Sequence, residues 1–257
     1  MKIGFPNDPR RDLLSEIEWI AVHGFDFVDL FLEPDQAAVE VIDPASVREH
    51  VESLRLGVVG HLAWYLPIGS PLPQLRKAAV STAEEYLRAF REISVRDVTV
   101  HAHWPPGFFS EEEGVGWQVE SLRQLVRIGA EMGIRMMYEP IDTPRDSAHN
   151  VRCVLDRVPG LLCHLDIGHC NLFGRDPADM IRRFAPRLNH LHVHDNNGVW
   201  DQHLPPGTGR IEWPEVFAAL KEVGYDKTLT LEVFSQDRDY VLLAKSKIEA
   251  LCGKRGR

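Results

Sequence analysis

Short runs of apolar and β-branched residues alternate along the whole chain with longer segments in which apolar residues recur at helical spacing. No linker or low-complexity segment interrupts this alternation. The runs that predict strands are Lys2–Phe5, Phe27–Phe31, Gly57–His61, Asp97–His101, Ile134–Glu139, Leu161–Asp166, His190–His194 and Thr228–Val233. The segments that predict helices are Leu13–Val22, Pro44–Leu54, Leu75–Glu92, Trp117–Glu131, Ser147–Arg157, Pro177–Phe184, Trp213–Glu222 and Tyr240–Leu251.

This alternation of strand and helix defines the fold class as α/β, with the strands in a parallel sheet. Eight such units in 257 residues match the length of a (β/α)8 TIM barrel, which typically takes about 250 residues. We therefore predict a single TIM barrel domain over residues 1–257. The alternative, an open doubly wound sheet, is disfavoured because no GxGxxG phosphate fingerprint follows the first strand.

The composition is that of a globular protein, with 44% hydrophobic and 26% charged residues. Lys and Arg number 29 against 38 Asp and Glu, a net charge of −9 that provides no overall attraction to nucleic acid or an anionic membrane. No apolar run approaches the ~18 residues of a membrane span, and no signal peptide precedes the first strand, so we expect a cytoplasmic protein. The four cysteines lack CxxC spacing, which predicts reduced thiols.

Polar side chains occur where the later predicted strands end. In a TIM barrel the active site forms at the C-terminal ends of the strands, so these side chains are expected to meet at one rim. His169 and the pair Asp201 and His203 lie just beyond strands. The polar residues within or at the end of strands three to eight are His61, His101, Glu139, Asp166, His192 and Glu232.

Each of these residues alone is typical of a loop cap or an exposed polar position. Their joint burial would cost several kcal/mol for each unpaired charge unless a cation compensated it. The sequence therefore predicts a divalent metal as cofactor. Nitrogen and oxygen ligands without cysteine suit manganese, zinc, cobalt, iron or magnesium, and imidazole favours the transition metals over magnesium.

Several of the same segments carry a family resemblance that covers nearly the whole chain. The runs YEP, LDIGHCN, HLHVHDNNG, GTGRIEWPEVFAALKEVGYD and LEVF resemble the xylose isomerase-like barrel superfamily. In the first half the resemblance depends on HLAWYLPIGSP and on the forty-residue step from His61 to His101. Within the superfamily the sequence is similar to sugar and sugar-phosphate isomerases and epimerases, and also to the endonuclease IV type of apurinic endonuclease (AP endonuclease family 2).

Similarity to the epimerases implies metal ligands at Glu139, Asp166, His192 and Glu232, and a substrate contact at His169. A divalent cation would stabilise the enediolate that forms on deprotonation of a sugar, while two carboxylates move the proton. We assign Glu139 and Glu232 as this acid and base pair. The partner is then a small carbohydrate.

Similarity to the endonucleases implies a larger set of ligands for three zinc ions that cleave a phosphodiester at abasic DNA sites. The predicted strand-to-helix loops are mostly short, and three consecutive glutamates follow the fourth strand, so few elements favour a grip on DNA. Trp104, Phe108 and Phe109 follow the same strand and suit stacking on a sugar face or covering a pocket. The implied ligand set is His61, His101, Glu139, Asp166, His169, His192, Asp201, His203 and Glu232.

Some assignments stay open at this level. His194 has the same strand parity as His192, and His103 the same as His101, so either of each pair can be the ligand. Three roles stay open for Asp201 and His203: they bind a second metal, orient their loop, or form hydrogen bonds with the substrate. Trp104, His194, His103 and Arg210 are candidate substrate contacts, and so is Glu33.

Three activities therefore remain: sugar isomerase or epimerase, zinc phosphodiesterase, and dehydratase of inositol-derived ketones. A non-enzymatic metal-binding role is the fourth candidate function. Nucleic acid is a partner only of the phosphodiesterase. Related barrels often form dimers or tetramers, so a homo-oligomer is an open expectation.

Overall fold

The computed structural model describes residues 1–253 and shows a closed barrel of parallel strands. Each strand pairs with the next, and the last pairs with the first, so the predicted TIM barrel is confirmed. The strands are β1 Lys2–Pro6, β2 Phe27–Phe31, β3 Gly57–His61, β4 Asp97–His101, β5 Arg135–Glu139, β6 Leu162–Asp166, β7 Leu188–Val193 and β8 Thr228–Leu231. The helices are α1 Leu13–Val22, α2 Pro44–Ser53, α3 Pro73–Glu92, α4 Glu111–Met132, α5 Ala148–Arg157, α6 Pro177–Phe184, α7 Trp213–Glu222 and α8 Asp239–Leu251.

Helix α4 begins at Glu111, so the predicted start at Trp117 was wrong. The Ser110 side chain accepts a hydrogen bond from the Glu113 amide, and the Glu113 carboxylate accepts one from the Ser110 amide. This capping box places all three glutamates in the first helical turn, where the helix dipole favours negative charge. The other predicted boundaries differ from the structure by two residues at most.

Two boundary differences affect the site. Strand β7 ends at Val193 and β8 at Leu231, so His194 and Glu232 lie just beyond strands rather than within them. Both side chains remain buried. The barrel still presents them at the same rim, because their backbone continues from the C-terminal ends of neighbouring strands.

Apolar side chains fill the layer between strands and helices, whereas the centre of the barrel is partly polar. Barrel interiors are usually dominated by Val, Ile and Leu. Here the polar residues on the strands with no solvent exposure include Asp29, Thr99, His164, His190 and Thr230. In addition, no helix within residues 1–253 combines the length and apolar character needed to cross a bilayer.

Candidate active site

Four polar side chains converge at the C-terminal mouth of the barrel, as the strand ends predict. The Nδ1 atom of His192 lies 3.0 Å from Glu232 Oε2, 3.5 Å from Glu139 Oε1 and 3.9 Å from Asp166 Oδ2. All four residues are buried. Strand pairing contributes directly, because Asp166 stands opposite His192 in the register of β6 and β7.

Three imidazoles surround the second carboxylate oxygen of Glu139. Its Oε2 atom lies 3.0 Å from His101 Nε2, 3.2 Å from His61 Nε2 and 3.2 Å from His164 Nδ1. Burial alone would raise the pKa of Glu139, but His101, His164 and His192 outweigh it and hold that pKa well below its usual range. The carboxylate is therefore ionised at the centre of the histidines.

A third group of side chains lies beside Asp166 and consists of His169, His194, Asp201 and His203. Asp201 Oδ2 is 2.8 Å from His203 Nε2 and 3.4 Å from His169 Nε2, while its Oδ1 is 3.4 Å from His194 Nε2. His194 Nε2 is also 3.0 Å from Asp166 Oδ1. Burial would lower the pKa of His203, but Glu232 and Asp201 raise it to about 9. The third group thus holds carboxylates and imidazoles in direct contact.

Backbone carbonyls orient three of these histidines. The Nδ1 of His61 donates to the Leu62 carbonyl at 2.9 Å, and that of His169 to the Pro140 carbonyl at 3.0 Å. His203 Nδ1 likewise donates to the carbonyl of Glu232 at 3.0 Å. In each ring the Nε2 atom is therefore left facing the carboxylates of the site.

The loop between β7 and α7, which delivers Asp201 and His203, is held by Asp195. This carboxylate accepts hydrogen bonds from the Gly207 amide at 2.6 Å and from the Trp213 indole at 2.9 Å. The GTGRIEW segment, which carried part of the family resemblance, therefore works as a structural support for the loop.

A cavity of about 820 Å³ opens above the site, within the range of roughly 300–1,000 Å³ that small-molecule sites occupy. The loops after β1, β2, β3 and β8 form much of its wall. Glu33 lines it, and burial raises the pKa of this carboxyl. The cluster side chains that also line it are His61, His101, His169, Asp201, His203 and Glu232.

Four candidate substrate contacts lie outside the lining of this cavity. Trp104 donates its indole N–H to Asp146, and Arg210 is exposed on the β7–α7 loop. His103 is half-buried behind the rim. His194 lies within the third group, in contact with Asp166. Their roles in substrate binding stay predictions.

The sequence interpretation missed two residues of the site. The Nδ1 atom of His164 on β6 lies 3.2 Å from Glu139 Oε2. Asp29 on β2 is fully buried, and its Oδ2 atom lies 2.8 Å from His192 Nε2. The signal for both was a polar residue inside an otherwise apolar strand.

The donor set fits divalent cations. Glu139 Oε1 and Asp201 Oδ1 are buried and have no hydrogen-bond partner within residues 1–253. In each of three groups the nitrogen and oxygen atoms lie within 4.8 Å of one another, close enough to share one ion. The groups are His61, His101 and Glu139; Asp166, His169 and His194; and His194, Asp201 and His203.

Asp146 connects the loops that flank this mouth. Its Oδ2 atom accepts hydrogen bonds from Trp104 Nε1 at 2.9 Å and Thr143 Oγ1 at 2.8 Å. The Arg175 guanidinium donates to the backbone carbonyls of Asp146 at 2.9 Å and His169 at 2.6 Å. The loops after β4, β5 and β6 are therefore tied together beside the site.

Replacing Asp146 with asparagine should reduce the pH dependence of stability. Burial raises the pKa of Asp146 from 3.8 to about 7, so the folded state retains a proton that the unfolded chain loses. The stabilisation by this proton is full below pH 3.8 and is lost as pH rises through 7. Relative to Asp146→Asn, the wild-type free energy of unfolding should fall by on the order of 4 kcal/mol between pH 4 and 8. Urea unfolding at each pH measures this, and a constant difference would contradict it.

The fold and site define a class: a (β/α)8 barrel whose C-terminal mouth gathers carboxylates and imidazoles able to hold metal ions. The chain belongs to the xylose isomerase-like TIM barrel family, whose model matches residues 17–252. This match confirms the resemblance found in the sequence.

Similar proteins with stated activities include sugar epimerases and an inosose dehydratase of Geobacillus kaustophilus. The chain is 25% identical over 232 residues to D-psicose 3-epimerase of Ruminiclostridium cellulolyticum, covering 85% of this chain and 77% of that protein. It is 27% identical over 240 residues to an uncharacterised protein of Methanocaldococcus jannaschii, covering 86% and 79%. The crystal structure of a D-tagatose 3-epimerase-like protein superposes with a TM-score of 0.88 at 26% identity, over 98% of this chain and 97% of that one. These likenesses support an enzyme of the isomerase or epimerase kind.

Proposed function

We propose that the chain is a divalent-metal-dependent epimerase of a small sugar or sugar derivative, which moves a proton through an enediolate. The observation that carries this proposal is the convergence of Glu139, Asp166 and Glu232 on one nitrogen of His192, with Glu232 lining the cavity above them. The similarity to sugar 3-epimerases supports the same reaction class.

Glu139, Asp166, His192 and Glu232 would hold the cation. When bound, a divalent cation supplies Lewis-acid stabilisation of the negative charge that develops on neighbouring substrate oxygens. The chain supplies the proton transfer: one of Glu139 and Glu232 removes the proton from the carbon beside the carbonyl, and the other returns one to the opposite face. His169 and Glu33 line the cavity, and in this proposal they would contact substrate hydroxyls.

Reaction in deuterium oxide tests this mechanism. Proton transfer through an enediolate should place one non-exchangeable deuterium at the epimerised carbon, because the second carboxyl group, which returns the proton, has exchanged with solvent. Proton NMR of the products from D-psicose, D-tagatose and related sugars, at saturating Mn²⁺, would report it. Epimer formation without any solvent label would exclude the mechanism. Loss of water with no epimer formed would indicate a dehydratase.

A zinc phosphodiesterase is the second candidate, favoured by one specific observation. The three groups around Glu139, Asp166 and Asp201 bring together seven of the nine residues that the endonuclease resemblance implies. His192 and Glu232 lie outside these groups. Clustered cations, when bound, would activate water and neutralise the oxygens of a phosphodiester. The three glutamates in the first turn of α4 would still repel a DNA backbone.

Cleavage of an abasic DNA duplex by zinc-loaded protein tests this second candidate. Scission that is lost in His61→Ala and His203→Ala would favour the phosphodiesterase. An intact duplex, under conditions in which a sugar is epimerised, would exclude it.

A further inference from the structure

A buried carboxylate lies directly below the four converging residues. Asp29 on β2 is fully buried, and its Oδ2 atom is 2.8 Å from His192 Nε2 and 3.3 Å from His190 Nε2. The same oxygen accepts a hydrogen bond from Thr230 Oγ1 at 2.7 Å. The proposed proton transfer does not use Asp29, because Asp29 contacts the nitrogen of His192 that faces away from Glu139 and Glu232.

Burial of this carboxylate calls for an explanation. Barrel interiors usually contain branched apolar residues, and a buried carboxylate is unfavourable unless its partners compensate it. The Oδ2 atom of Asp29 lies within hydrogen-bond distance of three polar groups, His190 Nε2, His192 Nε2 and Thr230 Oγ1, and these contacts compensate its burial. A carboxylate oxygen in this position accepts hydrogen bonds.

His192 is oriented differently from His61, His169 and His203. His61, His169 and His203 each donate Nδ1–H to a backbone carbonyl and turn Nε2 toward the carboxylates. His192 has the reverse arrangement, with Nε2 against Asp29 and Nδ1 against Glu232. A carboxylate partner for a metal-binding imidazole fixes its tautomer and increases its basicity.

We infer that Asp29 is a positioning residue, which accepts the Nε2–H of His192 and so keeps the Nδ1 lone pair directed at the site shared by Glu139, Asp166 and Glu232. This inference rests on the proposed function, since it concerns the imidazole that would bind the cation. It assigns Nδ1 as the donor atom of His192.

Asp29→Leu tests the assignment. Leucine has a similar size but no hydrogen-bond acceptor, so the proton of His192 is no longer held on Nε2 and can occupy Nδ1, where it competes with the cation. Calorimetric titration of metal-free protein with Mn²⁺ should show 10–100-fold weaker binding than wild type, the usual effect of losing such a partner. Thr230→Val is the matched control, because it removes another hydrogen bond to Asp29 but keeps the contact with His192. Its Mn²⁺ affinity should stay within about threefold of wild type.

A spectroscopic measurement on the wild-type protein needs no variant. In zinc-loaded, ¹⁵N-labelled protein, the His192 imidazole should carry a slowly exchanging proton on Nε2 and none on Nδ1. A proton on Nδ1 would overturn the inference, and so would unchanged Mn²⁺ affinity in Asp29→Leu. If circular dichroism shows that Asp29→Leu fails to fold, the wild-type spectrum alone tests the inference. Wild-type protein that binds no Mn²⁺ or Zn²⁺ would instead overturn the proposed function, and this inference with it.

Discussion

Glu139→Gln should lower kcat/KM for epimerisation by about 10²–10⁴-fold, the usual contribution of a positioned acid or base. Glutamine keeps the shape of the side chain but cannot carry a proton between pH 5 and 9. Product formation should be measured at saturating Mn²⁺, so that weaker metal binding does not contribute. Glu120→Gln is the matched control, because Glu120 pairs with Arg76 on the outer helices and its loss should leave kcat/KM unchanged.

The corresponding change at Glu232 separates the two carboxylates. If Glu139 and Glu232 serve opposite faces of the substrate, each glutamine variant should still exchange deuterium into one epimer without forming the other. The two variants should differ in which epimer they label. Full epimerisation by either variant would contradict the assignment of both residues as the acid and base pair.

Removal of metal ions with a chelator should abolish turnover and lower the melting temperature. The buried carboxylates then lose the cation that offsets their burial. Ion added back at about 100 times its Kd should stabilise the fold by about 2.7 kcal/mol, or roughly 5–10 °C for a chain of this size. Calorimetry with Mn²⁺, Co²⁺, Zn²⁺ and Mg²⁺ measures the shift. Full activity in protein shown by elemental analysis to be ion-free would refute the metal dependence.

The number of ions per chain also discriminates between the two candidate functions. About one equivalent would leave Asp201 and His203 with loop or substrate roles. About three equivalents of zinc would make His61, His101, Asp201 and His203 ligands and would favour the phosphodiesterase.

The sequence predicts the barrel well because each βα unit carries its own local signal. Phe27–Phe31, Gly57–His61 and Asp97–His101 are predicted from their apolar and β-branched residues, and the structure has these same bounds. The predicted helix α4 is too short at its N-terminus, because three glutamates after a Pro-Pro-Gly segment are also typical of a loop. Ser110 and Glu113 have the spacing of a capping box, so the correct start was readable from the sequence.

The site was only partly predictable. Residues at strand ends, such as Glu139 and Asp166, must meet at one rim in a closed barrel, which makes their convergence a consequence of topology. Asp29 lies within a strand whose two faces are both buried, so the apolar pattern does not show which face points into the barrel. Trp104 suited a sugar platform, but its bond to Asp146 joins residues 42 positions apart, a contact that no local pattern reveals.

In the β7–α7 loop, the residue that fixes the backbone, Asp195, is different from the residues that face the site, Asp201 and His203. Gly207 and Trp213 are held by a residue that does not line the cavity, so the path of the loop does not depend on what Asp201 and His203 bind. Evolution can exchange those two side chains and leave the loop in place. A barrel of this design can therefore acquire or discard reactive groups by point substitution, which gives one scaffold access to several chemistries.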